Sequence, residues 1–424
     1  MAEFCAGGEE VMRQSIPLWL LCGVLLLRAT PLAAHEAQTY FETGVRAFTE
    51  GKYDEAVTAL AQAITSYPHY AQAHYMLGNT YYQQQNYAQA RQAFERAVAS
   101  YPGYAEAHYM LGATLYQQKE FGAAEQAVRQ ASILYPRYEE AYDLLATLAE
   151  RQGNVPQALE AYRQVLTVNS KNLEARLRLG ILLEKTNQLA EAKQAYQQII
   201  AQQPQHVEAL LRLGILAERQ KHPQEALTAY RAIVAQQPDN VEAQYRLAVL
   251  YDTQGDTKQA MSAYAHVLTL QPTHAEAALY LGILQAQQGE DAAAEGSYKK
   301  ALEAQPDFTE AQYHLALLYK KEQKLPQAVG LLKQVVERQP KNAEARYNLG
   351  VIYVGIKQYR PAVTEFEAAI AVRPDFREAY YSLGVCYEFY ISDIPKALEY
   401  YRTFLALGGS DTRVQQLIEQ SKRR

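Results

Sequence analysis

AQAHYMLGNTYYQQQNYAQARQAFERAVASYPGY (residues 71–104) and AEARYNLGVIYVGIKQYRPAVTEFEAAIAVRPDF (residues 343–376) are two copies of one 34-residue pattern, and their likeness decides the fold. The pattern starts at Ala37 and returns without a gap at residues 71, 105, 139, 173, 207, 241, 275, 309 and 343, with an eleventh copy from Arg377. Self-similarity at a fixed period of this length marks a repeat architecture. Counted within each copy, position 8 is Gly or Ala throughout, from Gly44, Gly78 and Gly112 to Gly350 and Gly384. Position 20 is Ala in the first ten copies, from Ala56 and Ala90 to Ala362. Position 32 is Pro in nine, among them Pro68, Pro204 and Pro374.

Each position has a physical task. Apolar residues recur at helical spacing, as in Tyr75, Leu77, Gly78 and Tyr81, and then Ala90, Phe94, Ala97 and Val98. This describes two amphipathic helices joined by a polar turn such as Gln84-Gln85-Asn86. Small residues at 8 and 20 let the two helices approach, and large ones at 7, 11 and 24 fill the space around that contact. Proline at 32 cannot continue a helix interior and sets the break between hairpins. No hairpin can bury its apolar face alone, so neighbours must stack. The pattern resembles the tetratricopeptide repeat family over residues 37 to about 411, with Tyr40, His74, His108 and Tyr142 where the family has a position-4 Trp. That resemblance implies an all-α fold, an α-solenoid winding as a right-handed superhelix of about eleven repeats.

The ends carry their own signals. The last hairpin has one extra residue, expected in its turn, which moves its alanine to Ala397. Residues 412–424 read as a capping helix and basic tail, with Asp411-Thr412 at its start and Val414, Leu417 and Ile418 on its inner side. Residues 1–34 read as a leader: Arg13, then the apolar run Ile16 to Leu27, then Pro31-Leu32-Ala33-Ala34. A cleaved secretory signal, cut after Ala34, is the preferred reading and implies an exported chain, periplasmic or secreted. An uncleaved N-terminal anchor is the alternative, favoured by Arg28 and by Leu32 at the −3 place. Membrane contact is expected only through this segment.

Composition narrows the function. With 49% hydrophobic and 21% charged residues, there is ample apolar surface to bury and no reason to expect general disorder. A net charge of −5 over 424 residues gives no nucleic-acid footprint. Of three cysteines, Cys5 and Cys22 fall in the leader, so Cys386 stands alone and reads as a packed core thiol. His35-Glu36 does not continue to an HExxH motif, because residue 39 is Thr. His74 and His108 share position 4 in adjacent copies, and without a thiol or carboxylate partner they read as packing groups rather than metal ligands. No catalytic residue, cofactor or metal site is expected.

The resemblance implies that positions 2, 5, 9, 12 and 13 line a concave groove that takes protein or peptide partners. Position 5 holds Phe41, Tyr75 and Tyr109 in repeats 1–3, and position 12 holds Phe48, Tyr82 and Tyr116. Seven residues apart, the two positions share a helix face. Such rings, flanked by Gln83 and Gln117, suit an extended or helical peptide, and packing between neighbours is the competing reading. Repeats 4–7 carry Glu150, Glu184, Glu218 and Asp252 at position 12. Arg178, Arg212 and Arg246 follow Glu174, Glu208 and Glu242 by four residues, which suits salt-bridge support ahead of a ligand ladder. Repeats 9–11 return Tyr313, Tyr347 and Tyr381 to position 5. The family's carboxylate clamp is not carried over, because no Lys stands at position 5. The expectation is a non-catalytic scaffold for envelope or secretion-related assembly. The alternatives are an accessory subunit of a polysaccharide, peptidoglycan or glycosyl-transfer enzyme complex, or a membrane-tethered cytosolic adaptor.

Overall fold

The computed structural model describes residues 31–422, and every element among them is a helix. Residues 1–30, which hold most of the expected leader, lie outside the described residues, and the first helix starts at Pro31. The chain divides after Ala201 into two compact units. The first contains five helix pairs, from Pro31–Thr49 with Tyr53–Ser66 to Leu173–Lys185 with Leu189–Gln202. The second contains six, from Val207–Arg219 with Pro223–Gln236 to Arg377–Val385 with Ile394–Ala406, and then the closing helix Thr412–Lys422. Within each unit the second helix of a pair packs on the first helix of the next, which makes an α-solenoid.

The core repeats with the sequence. A Cβ on Gly78 would stand 2.6 Å from Phe94 Cε1, and one on Gly350 the same distance from Phe366 Cε1. The position-24 ring occupies the space that a methyl at position 8 would need. Ala56, Ala90, Ala124 and their counterparts through Ala362 are fully enclosed, so position 20 has no room for a larger group. Burying a ring such as Phe94 contributes about 2–3 kcal/mol per repeat.

Two polar devices punctuate the array. Between paired helices the backbone turns through a left-handed residue at position 15: Gly51, Gly153, Gly255 and Gly289 there are unstrained, whereas Gln85, Lys119 and Asn187 hold φ near +60° despite a Cβ. Between several of the repeats, a polar position-4 side chain donates back to the position-32 carbonyl of the preceding repeat. His74 Nε2 lies 2.8 Å from Pro68 O and His108 Nε2 3.0 Å from Pro102 O. Gln244 and Gln312 reach Pro238 and Pro306 at 2.9 and 3.0 Å, and Arg346 reaches Pro340 at 2.8 Å. Because a carbonyl only accepts, both histidines carry their proton on Nε2. Burial lowers the His74 pKa, so the ring is a neutral donor.

The last repeat corrects one expectation. Its extra residue does not lengthen the turn. The first helix instead loosens into a π turn over Cys386–Ile391, and the left-handed residue (Ser392, φ +65°) and N-cap Asp393 follow in the usual order. The turn geometry that joins two packed helices is fixed, so the helix end absorbs the insertion. Asp411 Oδ1 accepts from Val414 N at 2.9 Å, which caps the closing helix and seats Val414 and Ile418 in the core.

Candidate functional site

The first-helix faces of repeats 1–3 contain two kinds of ring pair, both set by spacing within a repeat. At one, the position-5 ring packs on the position-34 ring: Phe41 on Tyr70 at 5.0 Å between centroids, Tyr75 on Tyr104 at 4.9 Å, Tyr109 on Tyr138 at 5.1 Å. At the other, the position-12 ring meets position 17 across the turn: Phe48 with Tyr53 at 5.8 Å, Tyr82 with Tyr87 at 5.4 Å, Tyr116 with Phe121 at 5.6 Å. Phe41 is buried and the other five expected contact residues are half-buried. Each therefore has a packing role, whatever else it contacts. Burial raises the Tyr75, Tyr104 and Tyr109 phenol pKa values, so these hydroxyls stay neutral donors.

A third set of rings, legible in the sequence only as a loop signature of repeats 1–3, joins them. Tyr67, Tyr101 and Tyr135 lean on Tyr70, Tyr104 and Tyr138 at 5.9, 6.0 and 5.7 Å. The outer rings of Tyr101 and Tyr135 are 57% and 52% exposed. Each of the three repeats thus ends in a stack of three rings, and its outermost member reaches solvent in two of them. The signal was present as Tyr-Pro-x-Tyr at residues 67–70, 101–104 and 135–138, one repeat apart.

Repeat 4 changes the chemistry. Position 5 becomes Asp143, beside the aromatic block. Burial, and then the carboxylates of Glu174 and Glu139, raise its pKa to about 6, against a lowering by Arg178. Position 12 becomes Glu150, which accepts a 2.7 Å hydrogen bond from the Tyr162 hydroxyl at position 24. The same pairing joins Tyr196 to Glu184 at 2.6 Å and Tyr401 to Glu388 at 2.6 Å. Glu150, Glu184 and Glu388 are therefore engaged by their own repeats.

The arginines form the pairs their spacing predicts. Arg178 Nε donates to Glu174 at 2.8 Å, Arg212 Nε to Glu208 at 2.8 Å, and Arg246 Nε to Glu242 at 2.6 Å. Arg246 also reaches Glu218 at 2.9 Å. Among the later tyrosines, the Tyr313 hydroxyl accepts from Asn348 at 3.2 Å, and Tyr347 packs on Phe376 at 4.9 Å. Tyr381 donates to Asp411 at 3.1 Å, so it steadies the residue that caps the closing helix. Cys386 is buried in the π turn, and burial pushes its thiol up to about 11. Among the described residues no group of three His, Cys, Asp or Glu side chains is placed to hold a metal, and no helix is long and apolar enough to cross a membrane.

The sequence model of the tetratricopeptide repeat matches residues 41–104, 75–139, 144–206, 177–241, 211–273 and 245–307, and a second model of the same repeat matches residues 319–384. The chain belongs to the tetratricopeptide repeat family. Several solved structures resemble parts of it. MamA is 27% identical over 38% of this chain and 94% of its own, with a TM-score of 0.37. YrrB, a TPR protein described as having an unusual peptide-binding site, is 22% identical over 47% of this chain and 100% of its own, at 0.41. PilF of Pseudomonas aeruginosa is 23% identical over 50% and 96%, at 0.41. With such TM-scores these likenesses add nothing to the family assignment. No curated protein matches the chain. As a tetratricopeptide repeat array it is a protein-interaction scaffold, and scaffolds of this family are generally non-catalytic.

Proposed function

We propose that this array is a non-catalytic scaffold that binds a protein or peptide partner along the first-helix face of repeats 1–3, outside the cytoplasm, in envelope or secretion-related assembly. One observation carries the binding site: three successive repeats present the same ring stacks, with Tyr101 and Tyr135 open to solvent at their ends. The position-13 neighbours of this face, Gln83 and Gln117, are uncharged hydrogen-bonding groups. Large rings whose rotamers are already fixed by packing supply contact area at little entropic cost on binding. Support for export comes from sequence alone, from the Arg13 and Ile16–Leu27 pattern ahead of the repeats.

The test is in-cell crosslinking with mass spectrometry on wild type and on a Tyr82→Ser, Tyr101→Ser, Tyr116→Ser, Tyr135→Ser variant that keeps its helical circular dichroism. A specific envelope protein captured by wild type and lost from the variant is the expected result. Unchanged capture rejects the tyrosine face as the site, and capture of cytosolic proteins alone rejects the compartment. Saccharide retained by the purified array in place of protein would favour the accessory-subunit reading. Mature protein beginning near His35, protected from protease in intact cells, is the matching expectation for the leader.

A further inference from the structure

The π turn of repeat 11 makes a surface that the other within-repeat turns do not. Phe389, Tyr390, Ile391 and Ile394 are 56%, 43%, 37% and 42% exposed, and among the described residues no other such turn exposes large apolar side chains to this degree. The surface is not a loose fringe. The Tyr390 ring lies flat on Tyr359, at the start of the preceding repeat's second helix, with centroids 4.1 Å apart and planes 4° from parallel. The Arg413 guanidinium covers Phe389 at 5.1 Å while bonded to Glu388 at 2.7 Å. Between the two turns lies a cleft of about 450 Å³, lined by Lys357, Tyr359, Arg360, Pro361, Tyr390 and Ile391.

Its charge is one-sided. Lys357 sits at the left-handed turn position (φ +62°), and both it and Arg360 are exposed. Neither forms an ion pair among the described residues. The nearby carboxylates of the π turn are already engaged: Glu388 by Arg413 and Tyr401, and Asp393 as acceptor for Lys396 N at 3.1 Å. A mixed cleft with an aromatic and aliphatic wall (Tyr359, Pro361, Tyr390, Ile391) and two unmatched cations complements an apolar side chain next to an anionic one.

We infer that this cleft docks a protein segment carrying an acidic residue beside a large apolar one. The apolar side chain packs against the Tyr359–Tyr390 stack and Ile391, and the carboxylate meets Lys357 and Arg360. A lipid surface fits less well. Tyr390 is held flat on Tyr359 and Arg413 stands over one face of Phe389, so both rings are fixed in the turn rather than free to reorient into lipid. The insertion that creates the site is confined to repeat 11, so the site belongs to the second unit, whereas the tyrosines of repeats 1–3 belong to the first.

The experiment uses the full chain as bait for a phage-displayed random dodecapeptide library. The expected result is enrichment of peptides with Asp or Glu adjacent to Leu, Ile, Phe or Trp. The best of them should bind at least about tenfold more weakly to Lys357→Glu/Arg360→Glu, and more weakly to wild type at higher salt. Deleting Ile391, which restores the 34-residue spacing, should abolish binding while helical circular dichroism is kept. The tyrosine variant of repeats 1–3 should bind the same peptide normally. Enrichment of no such peptide, or equal binding by the charge-reversed variant, overturns the inference. So does binding of vesicles of 3:1 phosphatidylcholine and phosphatidylglycerol that Lys357→Glu/Arg360→Glu abolishes, without peptide selection.

Discussion

Repeats 1–3 and repeats 4–7 share one backbone pattern and fill it with different chemistry. In the first block, position 34 is Tyr70, Tyr104 or Tyr138, and its ring packs on the position-5 ring of its own repeat. In the second it is Asn172, His206, Asn240 or His274, whose side chain caps the next helix, as Asn172 Oδ1 does for Ala175 N at 2.9 Å; only in repeat 7 does a ring pair persist, His274 packing on Tyr245 at 4.6 Å. At position 24 the first block has Leu60, Phe94 and Val128, and the second has tyrosines throughout. Those tyrosines accompany an acid at position 12, where the first block has an aromatic residue. A repeat can therefore hold its face together by ring stacking or by hydroxyl–carboxylate bonding. The first block carries aromatic residues at position 12, whereas repeats 4–7 carry a row of acids there.

The sharpest way to break this comparison is to remove the large position-24 side chain on which both blocks pack. Phe94→Ala leaves a cavity against Gly78 and should cost about 3–5 kcal/mol, read as lost hydrogen-exchange protection across residues 71–104. Exchange is the right measure, because a long array need not unfold in one step. Next comes the hydroxyl alone. Tyr162→Phe keeps the ring but strips Glu150 of its donor, and should cost about 1–2 kcal/mol. Phe94→Tyr should cost a similar amount for the opposite reason, a buried hydroxyl with no acid opposite, and Tyr82→Glu added to it should restore part of the loss. A double variant no better than the single would show that the two chemistries are not interchangeable between blocks.

Asp143, at the border, gives a pH-dependent test. Its carboxyl rises from 3.8 to about 6 in the folded chain, so folding is penalised when it ionises. Below pH 3.8 both states are protonated and the penalty is absent; it grows as pH rises towards 6 and is complete above that. Asp143→Asn should therefore be more stable than wild type by about 1–2 kcal/mol at pH 7.5 and no more stable at pH 4. A gap in denaturation midpoint that does not change between these pH values would reject the assignment. The smallest effect belongs to the exposed arginines. Arg178→Ala should cost about 0.2–0.5 kcal/mol, and 1 M salt should erase most of the difference from wild type.

How far the sequence could be read depended on how local each role is. Gly78, Ala90 and Pro102 each do one task within one hairpin, so their recurrence disclosed the α-solenoid. The Glu174–Arg178 pair was equally legible, since four residues on a helix fix the geometry. The Tyr75–Tyr104 stack was not, because it joins residues 29 apart and depends on the angle at which the chain enters the next helix. Nor was the raised Asp143 carboxyl, which reflects burial and acids from two repeats. The inserted residue of repeat 11 was visible as a length, but a length does not say whether helix or turn absorbs it.

The position-4 ties have a direction. Where they form, a side chain in one repeat seeks a carbonyl six residues earlier, at the end of the repeat before it: His74 to Pro68, His108 to Pro102, Gln244 to Pro238, Gln312 to Pro306, Arg346 to Pro340. A chain delivered N-terminus first, from a ribosome or through a pore, thus meets each acceptor before its donor arrives. These ties by themselves ask for no residue that has yet to emerge, whereas the apolar face of each hairpin still waits for the next to cover it.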